Sequence, residues 1–459
     1  MNARTLDTWI ATHAAHQRSK IALHACGQSW TYAALHTWVE RLASGLSTTV
    51  QRGDRIAYLG HNAAHQIALL FAVAKLGAIV VPMNWRLSPS ELSYVLKNAA
   101  PRLLVYGPDC AEMALQITGD TPCVAEADLP LGDRHTNSQA QLSDPFLIVY
   151  TSGTTGRPKG AVLTQEAVLW NALNALHAQD LTPEDHILNV LPLFHVGGIN
   201  IQVMPTFFAG GSVTLHKGFD PVATLDALQK DGITTTVCVP TMMRALMGLS
   251  DWSNATFPAM RLMNTGSTDV PVDILEAVNA RGLPMVQVYG ATETGPIATY
   301  QRAAEASATI GSIGRAAAHA DIRIARPDGS VCDLDEPGEL WLKGPNLFTE
   351  YWKNPQATKD AFHDGWFKTG DVARKDAAGL YWFVSRLTHV IISGGENIYP
   401  AEIERILAAL PGLGTVAVVG RPDDRWGEVP VVVAERCDDL NKAQILAACE
   451  NELARYKRP

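Results

Sequence analysis

The stretch Tyr150-Thr-Ser-Gly-Thr-Thr-Gly-Arg-Pro-Lys-Gly160 decides how the rest of the chain is read. It follows Phe146, Leu147, Ile148 and Val149, an apolar run of strand length. Gly153, Gly156 and Gly160 let backbone amides approach an anion closely, and Thr151, Ser152, Thr154 and Thr155 supply hydroxyl donors. Lys159 adds a compact positive charge. A surface turn is the plain alternative, because Gly, Thr and Pro favour turns anyway. The hydroxyls and the lysine favour a polyphosphate instead. This is not the phosphate loop that ends in Gly-Lys-Ser or Gly-Lys-Thr.

Upstream of the loop, short apolar strands alternate with helical segments. Arg55–Leu59 reads as a strand and 63–76 as a helix with its apolar face inward. Ala78-Ile-Val-Val81 reads as a buried strand ended by Pro82, and 88–98 as a helix with Ser88 as N-cap, Pro89 at the first position and Glu91 at the third. That alternation predicts a mostly parallel, doubly wound sheet. Downstream, Asn264-Thr-Gly-Ser-Thr268 and Tyr289-Gly-Ala-Thr-Glu-Thr294 each follow an apolar segment, so they sit where ligands collect in open parallel sheets. Residues 308–350 are rich in turns and predict a small antiparallel barrel.

The 459 residues exceed one simple core and predict at least two domains. A net charge of −9, with no basic block, argues against nucleic acid as a partner. Seven cysteines without a CxxC pair fit reduced thiols in a cytoplasmic protein. The most membrane-like segment, 187–215, lacks Lys, Arg, Asp and Glu. It also carries Pro192, Pro205 and four glycines, which predicts buried strands and loops and no integral membrane segment.

The loop at 150–160, together with the run 289–294, Gly365-Trp-Phe-Lys-Thr-Gly-Asp371 and Ile391-Ile-Ser-Gly-Gly-Glu-Asn-Ile-Tyr-Pro400, resembles the motifs of the adenylate-forming superfamily. Within it the chain is similar to the acyl-CoA synthetases of the AMP-dependent synthetase and ligase family. The resemblance implies an α/β fold: a large N-terminal domain, 1–385, of doubly wound sheets plus a small β-barrel, and a smaller mobile α+β domain over 386–459. It implies ATP-dependent activation of a carboxylic acid to an acyl-adenylate, then transfer to CoA. The same motifs would serve a stand-alone enzyme that loads a carrier protein, or a nucleotide-binding protein with impaired adenylation.

The resemblance also assigns roles. Thr151, Ser152, Gly153, Thr154, Thr155, Gly156 and Lys159 would cradle the polyphosphate. Gly266 and Ser267 would border adenine, with Asp269 departing from the family pattern. Tyr289 and Gly290 would flank the adenine, Thr292 would bond the α-phosphate and Glu293 would ligate Mg²⁺, which takes hard oxygen ligands. Asp371 would accept both ribose hydroxyls and Arg386 would reach the nucleotide. His195 would face the acyl pocket, and Gly394 and Gly395 the pantetheine arm of CoA. Ser385 and Thr388 depart from the usual junction residues. The run 77–86 also resembles the family and is expected to serve structure alone.

Segments 196–204, 235–243 and 289–300 match the family's acyl pocket and carry no charge except Glu293, which predicts a monocarboxylic acid with an apolar tail. In the family the run 453–459 leads on to a lysine that forms the adenylate. Lys457 and Arg458 precede that position and do not replace it. A homodimer is left open.

Overall fold

A computed structural model of the chain describes residues 5–133, 137–138, 140–151, 157–267, 270–387, 390–408, 410, 413–435, 441–450 and 452–459. Two large mixed sheets carry the architecture. In a nine-stranded sheet, six strands from Ile21–Ala25 to Met285–Tyr289 run parallel, and antiparallel strands close both edges. In a seven-stranded sheet, Pro145–Thr151 pairs in parallel with Ile79–Met83 and antiparallel with Lys159–Thr164. The chain on either side of residues 152–156 is thus a strand pair, with Thr151 opposite Lys159.

The helix Ala64–Leu76 is buried on nearly every side and shares one core with both sheets. A one-sided apolar face was expected. The sequence Ala-His-Gln-Ile-Ala-Leu-Leu-Phe-Ala-Val-Ala-Lys-Leu is apolar all round, as a helix between two sheets must be. Its buried Lys75 pairs with Glu40 at 2.6 Å. Pro82 does not end its strand, which runs to Met83. The ladder to Pro145–Thr151 registers at Val80 alone, so a proline two residues later gives up no needed donor on that side.

The expected cap at Ser88 is present in full. Its hydroxyl accepts from the Glu91 amide at 3.3 Å and the Glu91 carboxylate accepts from the Ser88 amide at 2.8 Å, at the start of helix Pro89–Ala99. Segment 187–215 holds two strands, as expected, but its middle is helical: a π-turn over Gly198–Val203 continues as Met204–Ala209, almost wholly buried. Among the described residues no helix is long and apolar enough to cross a membrane.

The antiparallel region runs further than expected, to Tyr381–Arg386. Its described ladders form a five-stranded sheet that is not closed into a barrel. Beyond it, strands Ile391–Ser393, Glu396–Ile398, Val416–Asp423 and Gly427–Ala434 form a separate four-stranded sheet. Helices Pro400–Ala408 and Lys442–Glu450 pack on it around Ile391, Ile403, Leu407 and Cys449. This smaller body sits on the large one where the loops after the parallel strands converge.

Candidate active site

Between the two bodies lies a cavity of about 920 Å³. Of the residues expected at a site, Thr151, Lys159, His195, Ser267, Gly290, Thr292, Glu293, Asp371, Arg386, Gly394 and Gly395 line it. Ser152, Gly153, Thr154, Thr155 and Gly156, like Asp269 and Thr388, lie outside the described residues. Tyr289 and Gly266 are not in the lining. Gly266 has a packing reason for being glycine, since a Cβ there would fall 2.1 Å from the Val288 carbonyl oxygen.

Glu293 is set by a tight turn after strand Met285–Tyr289. A Cβ on Gly290 would lie 1.6 Å from the Pro296 carbonyl oxygen, so only glycine lets the chain fold back there. The Thr294 hydroxyl accepts from the Ala291 amide at 2.9 Å and donates to the Ala291 carbonyl at 3.0 Å, which fixes the turn. Glu293 is buried, and Tyr351 donates to its Oε1 at 2.8 Å. Lys159 Nζ stands 5.3 Å from the centre of the Tyr351 ring. Burial pushes the Glu293 carboxyl above its ordinary range, against the pull of the Tyr351 hydroxyl and the Lys159 charge. Its own surroundings leave this carboxylate short of positive charge.

Asp371 is better supplied. It lies on strand Trp366–Lys375, in register with Arg386 on the neighbouring strand. Arg386 Nε is 2.9 Å from Oδ1, and the Tyr289 hydroxyl donates to Oδ2 at 2.6 Å. Burial, with the Asp371 charge next, pushes the Tyr289 phenol far up, so it stays a donor. Each Asp371 oxygen already holds one partner and keeps a second lone pair for another. Tyr289, expected to stack on a base, is tied through its hydroxyl to Asp371.

Another part of the cavity lining is built from both bodies. Gly394 and Gly395 have φ of +59° and +86° and join Ile391–Ser393 to Glu396–Ile398 as a two-residue hairpin. This turn packs between Trp426 and Val239. A Cβ added at Gly394 would meet Trp426 at 3.0 Å, and one at Gly395 would meet Val239 at 3.7 Å. The next residue, Glu396, accepts from Arg86 Nη1 at 2.7 Å and contacts His195 Nε2 at 3.1 Å. Burial alone would raise Glu396, but His195 and Arg86 outweigh it and push the carboxyl down to about 2.

Arg86 corrects the expectation that 77–86 serves structure alone. It lines the cavity, crosses to the smaller body and lies 5.3 Å and 5.6 Å from the ring centres of Trp85 and Phe194. Tyr351, Glu396 and Arg86 were not expected as site residues, although Glu396 and Arg86 lie in runs that resemble the family, because their partners lie 58 to 310 positions away. An apolar wall completes the cavity, with Gly198, Ile201, Val239, Met242, Val288 and Pro296 drawn from the three segments expected there or beside them.

Among the described residues no three or more His, Cys, Asp or Glu side chains are grouped to hold a metal on their own. A single under-compensated carboxylate, Glu293, fits a Mg²⁺ that brings the oxygens of a polyphosphate with it.

Residues 10–352 match the AMP-binding enzyme family, and residues 402–459 match the AMP-binding enzyme C-terminal domain. The chain is 41% identical to an indoleacetate–CoA ligase of Aromatoleum aromaticum, across 99% of this chain and 93% of that protein. It is 39% identical to a feruloyl-CoA synthase of an Amycolatopsis species, across 100% and 94%. Among solved structures, an o-succinylbenzoate CoA synthetase double mutant from Bacillus subtilis with a product analogue bound is 30% identical. It covers 98% of this chain and 93% of that one, at a TM-score of 0.90. The same synthetase with its acyl-adenylate intermediate, at the same identity and coverage, gives 0.78.

Proposed function

The chain belongs to the AMP-binding enzyme family, and on that premise we propose how its cavity divides the work of activating an acid. It is an AMP-forming acyl-CoA synthetase, with ATP and CoA as co-substrates. A carboxylate resists acyl transfer because its carbonyl is a poor electrophile and oxide a poor leaving group. One acid oxygen therefore attacks the α-phosphorus of ATP and pyrophosphate departs. The CoA sulfur then attacks the acyl carbon, and the carbon–oxygen bond to AMP breaks.

The observation that carries the assignment of roles is the convergence of Lys159, Glu293, Asp371, Arg386 and the Gly394–Gly395 turn on one cavity. Lys159 and the loop 151–156 would hold the polyphosphate, and Thr292 the α-phosphate. Glu293 would hold Mg²⁺, whose chemistry there is neutralising phosphate charge. Asp371 would take the ribose while Arg386 and Tyr289 hold it in orientation. Most of the protein's contribution is thus positioning and electrostatic stabilisation.

Gly394 and Gly395 would flank the pantetheine arm, with His195 held beside it by Glu396. The closer likeness to the product-analogue complex than to the adenylate complex supports reading the present arrangement as the one for CoA transfer. The smaller body, 386–459, would swing about the junction at Arg386 between the two half-reactions.

The apolar wall favours a monocarboxylic acid with an apolar tail. Relatives that act on indoleacetate and form feruloyl-CoA support an aromatic one. A screen of AMP release, dependent on ATP and CoA, tests this over arylacetates, hydroxycinnamates, fatty acids and dicarboxylates. Arylacetates or hydroxycinnamates should lead. Preferred turnover of a short dicarboxylate would overturn the reading of the acid, and no AMP release with any acid would overturn the roles.

A further inference from the structure

The deepest charge in the contact between the two bodies belongs to Lys457, which is 2% exposed. Its Nζ lies 2.6 Å from Glu91 Oε1 on the large body and 3.0 Å from each oxygen of Glu402 on the small one. Both carboxylates are buried as well. Glu91 does more than pair with lysine: its Oε2 accepts from the Ala454 amide at 2.8 Å as well as from Ser88. The Ser88 hydroxyl donates to the Glu452 carbonyl at 3.1 Å. The start of helix Pro89–Ala99 is therefore the seat on which segment 452–457 rests.

A buried ammonium between two carboxylates is costly unless every group is paired. Here the pairing is also separable. If the bodies part, Lys457 and Glu402 remain together as a neutral pair on the small body, and Glu91 regains water while keeping its helix-cap role. Neither side is left with an uncompensated buried charge. Such a contact can form and release in each catalytic cycle. Lys457 also lines the cavity, but in this arrangement its Nζ is engaged by the two carboxylates.

Resting on the two-step reading above, we propose that Lys457 is a positioning residue for the CoA half-reaction. By joining Glu402 to Glu91, it holds the arrangement in which the Gly394–Gly395 turn faces the cavity. The two half-reactions should then respond differently to its loss.

The test uses Lys457→Met and Glu91→Gln in the full chain, the second altering the large body only. Adenylate formation, read by ATP–pyrophosphate exchange, should stay within about twofold of the parent. Transfer of preformed acyl-adenylate to CoA should slow about tenfold or more in both variants, as the competent arrangement becomes less populated. Lys457→Arg should recover part of that rate. Equal losses in both half-reactions, or a loss in Lys457→Met without one in Glu91→Gln, would reduce Lys457 to a stabiliser of the small body and overturn the proposal. Small-angle scattering reads the arrangement without activity: both substitutions should broaden the interatomic distance distribution. Profiles identical to the parent would overturn the latch even where CoA-ligase activity stands. Absence of thioester formation in the parent would overturn the two-step reading and leave scattering to judge the latch.

Discussion

Glu293 and Glu396 are both buried glutamates on the same cavity, and their environments drive them in opposite directions. Glu293 has a tyrosine hydroxyl and a lysine held off behind an aromatic ring, and burial wins. Glu396 touches an arginine and a histidine directly, and burial loses. Depth therefore does not decide the direction; the partners within hydrogen-bond reach do. The first region is finished within the large body and lacks positive charge that a substrate complex can bring. The second is complete in charge but exists only while two bodies touch.

Removing the charge at the first should have the largest consequence. Glu293→Gln keeps the shape and the Tyr351 contact, yet adenylate formation measured by pyrophosphate exchange should fall on the order of 100-fold. The melting temperature should not fall with it, because the ionised form is the one the fold disfavours. In the free protein burial favours the neutral Glu293 carboxyl, and a bound Mg²⁺ with its polyphosphate would favour the ionised form.

Next in size is Asp371. Asp371→Asn removes the charge that Arg386 and Tyr289 both address, and AMP binding followed by calorimetry should weaken by about 1.5–3 kcal/mol. Unchanged affinity would take Asp371 out of the ribose site.

The second glutamate gives a smaller, conditional effect. Glu396→Gln should slow CoA transfer about tenfold while sparing adenylate formation. Because its folded value, about 2, lies below the ordinary 4.5, its contribution to stability is complete above pH 4.5 and disappears as the pH falls toward 2. The difference in melting temperature between parent and Glu396→Gln should accordingly be constant from pH 7 to about 5 and shrink below. A difference that grows on acidification would reverse the comparison. The smallest effect belongs to Ser88→Ala, at about 1 kcal/mol of stability by thermal unfolding, since a cap is lost while Glu91 keeps its lysine.

What could be read in the sequence was whatever is local. The strand Pro145–Thr151, the cap at Ser88, the strand that carries Asp371, and the turns that present Glu293, Gly394 and Gly395 each depend on residues a few positions apart. Their backbones are where the sequence put them. The electrostatics were not legible, because every decisive partner is remote. Tyr351 reaches Glu293 only through the pairing of Glu350–Tyr351 with Lys159–Thr164. Arg86 meets Glu396, and Lys457 meets Glu91, across the contact between the bodies. Pro82 and the helix Ala64–Leu76 misled for the same reason, since each depends on which neighbours lie alongside it.

The π-turn at Gly198–Val203 has a consequence for how such a cavity changes over generations. A π-turn is an α-helix carrying one extra residue. Deleting a single residue there would restore ordinary winding and shift by one position which side chains of the turn face the cavity, leaving the helix that follows in register. Ile201 would leave the apolar wall of the cavity and a neighbour would replace it, while Met204–Ala209 could keep its place in the core. Substitution can only resize a side chain on that wall. A one-residue insertion or deletion can exchange which side chain the acid meets, so lineages of this fold have a second, discontinuous route to a new acid.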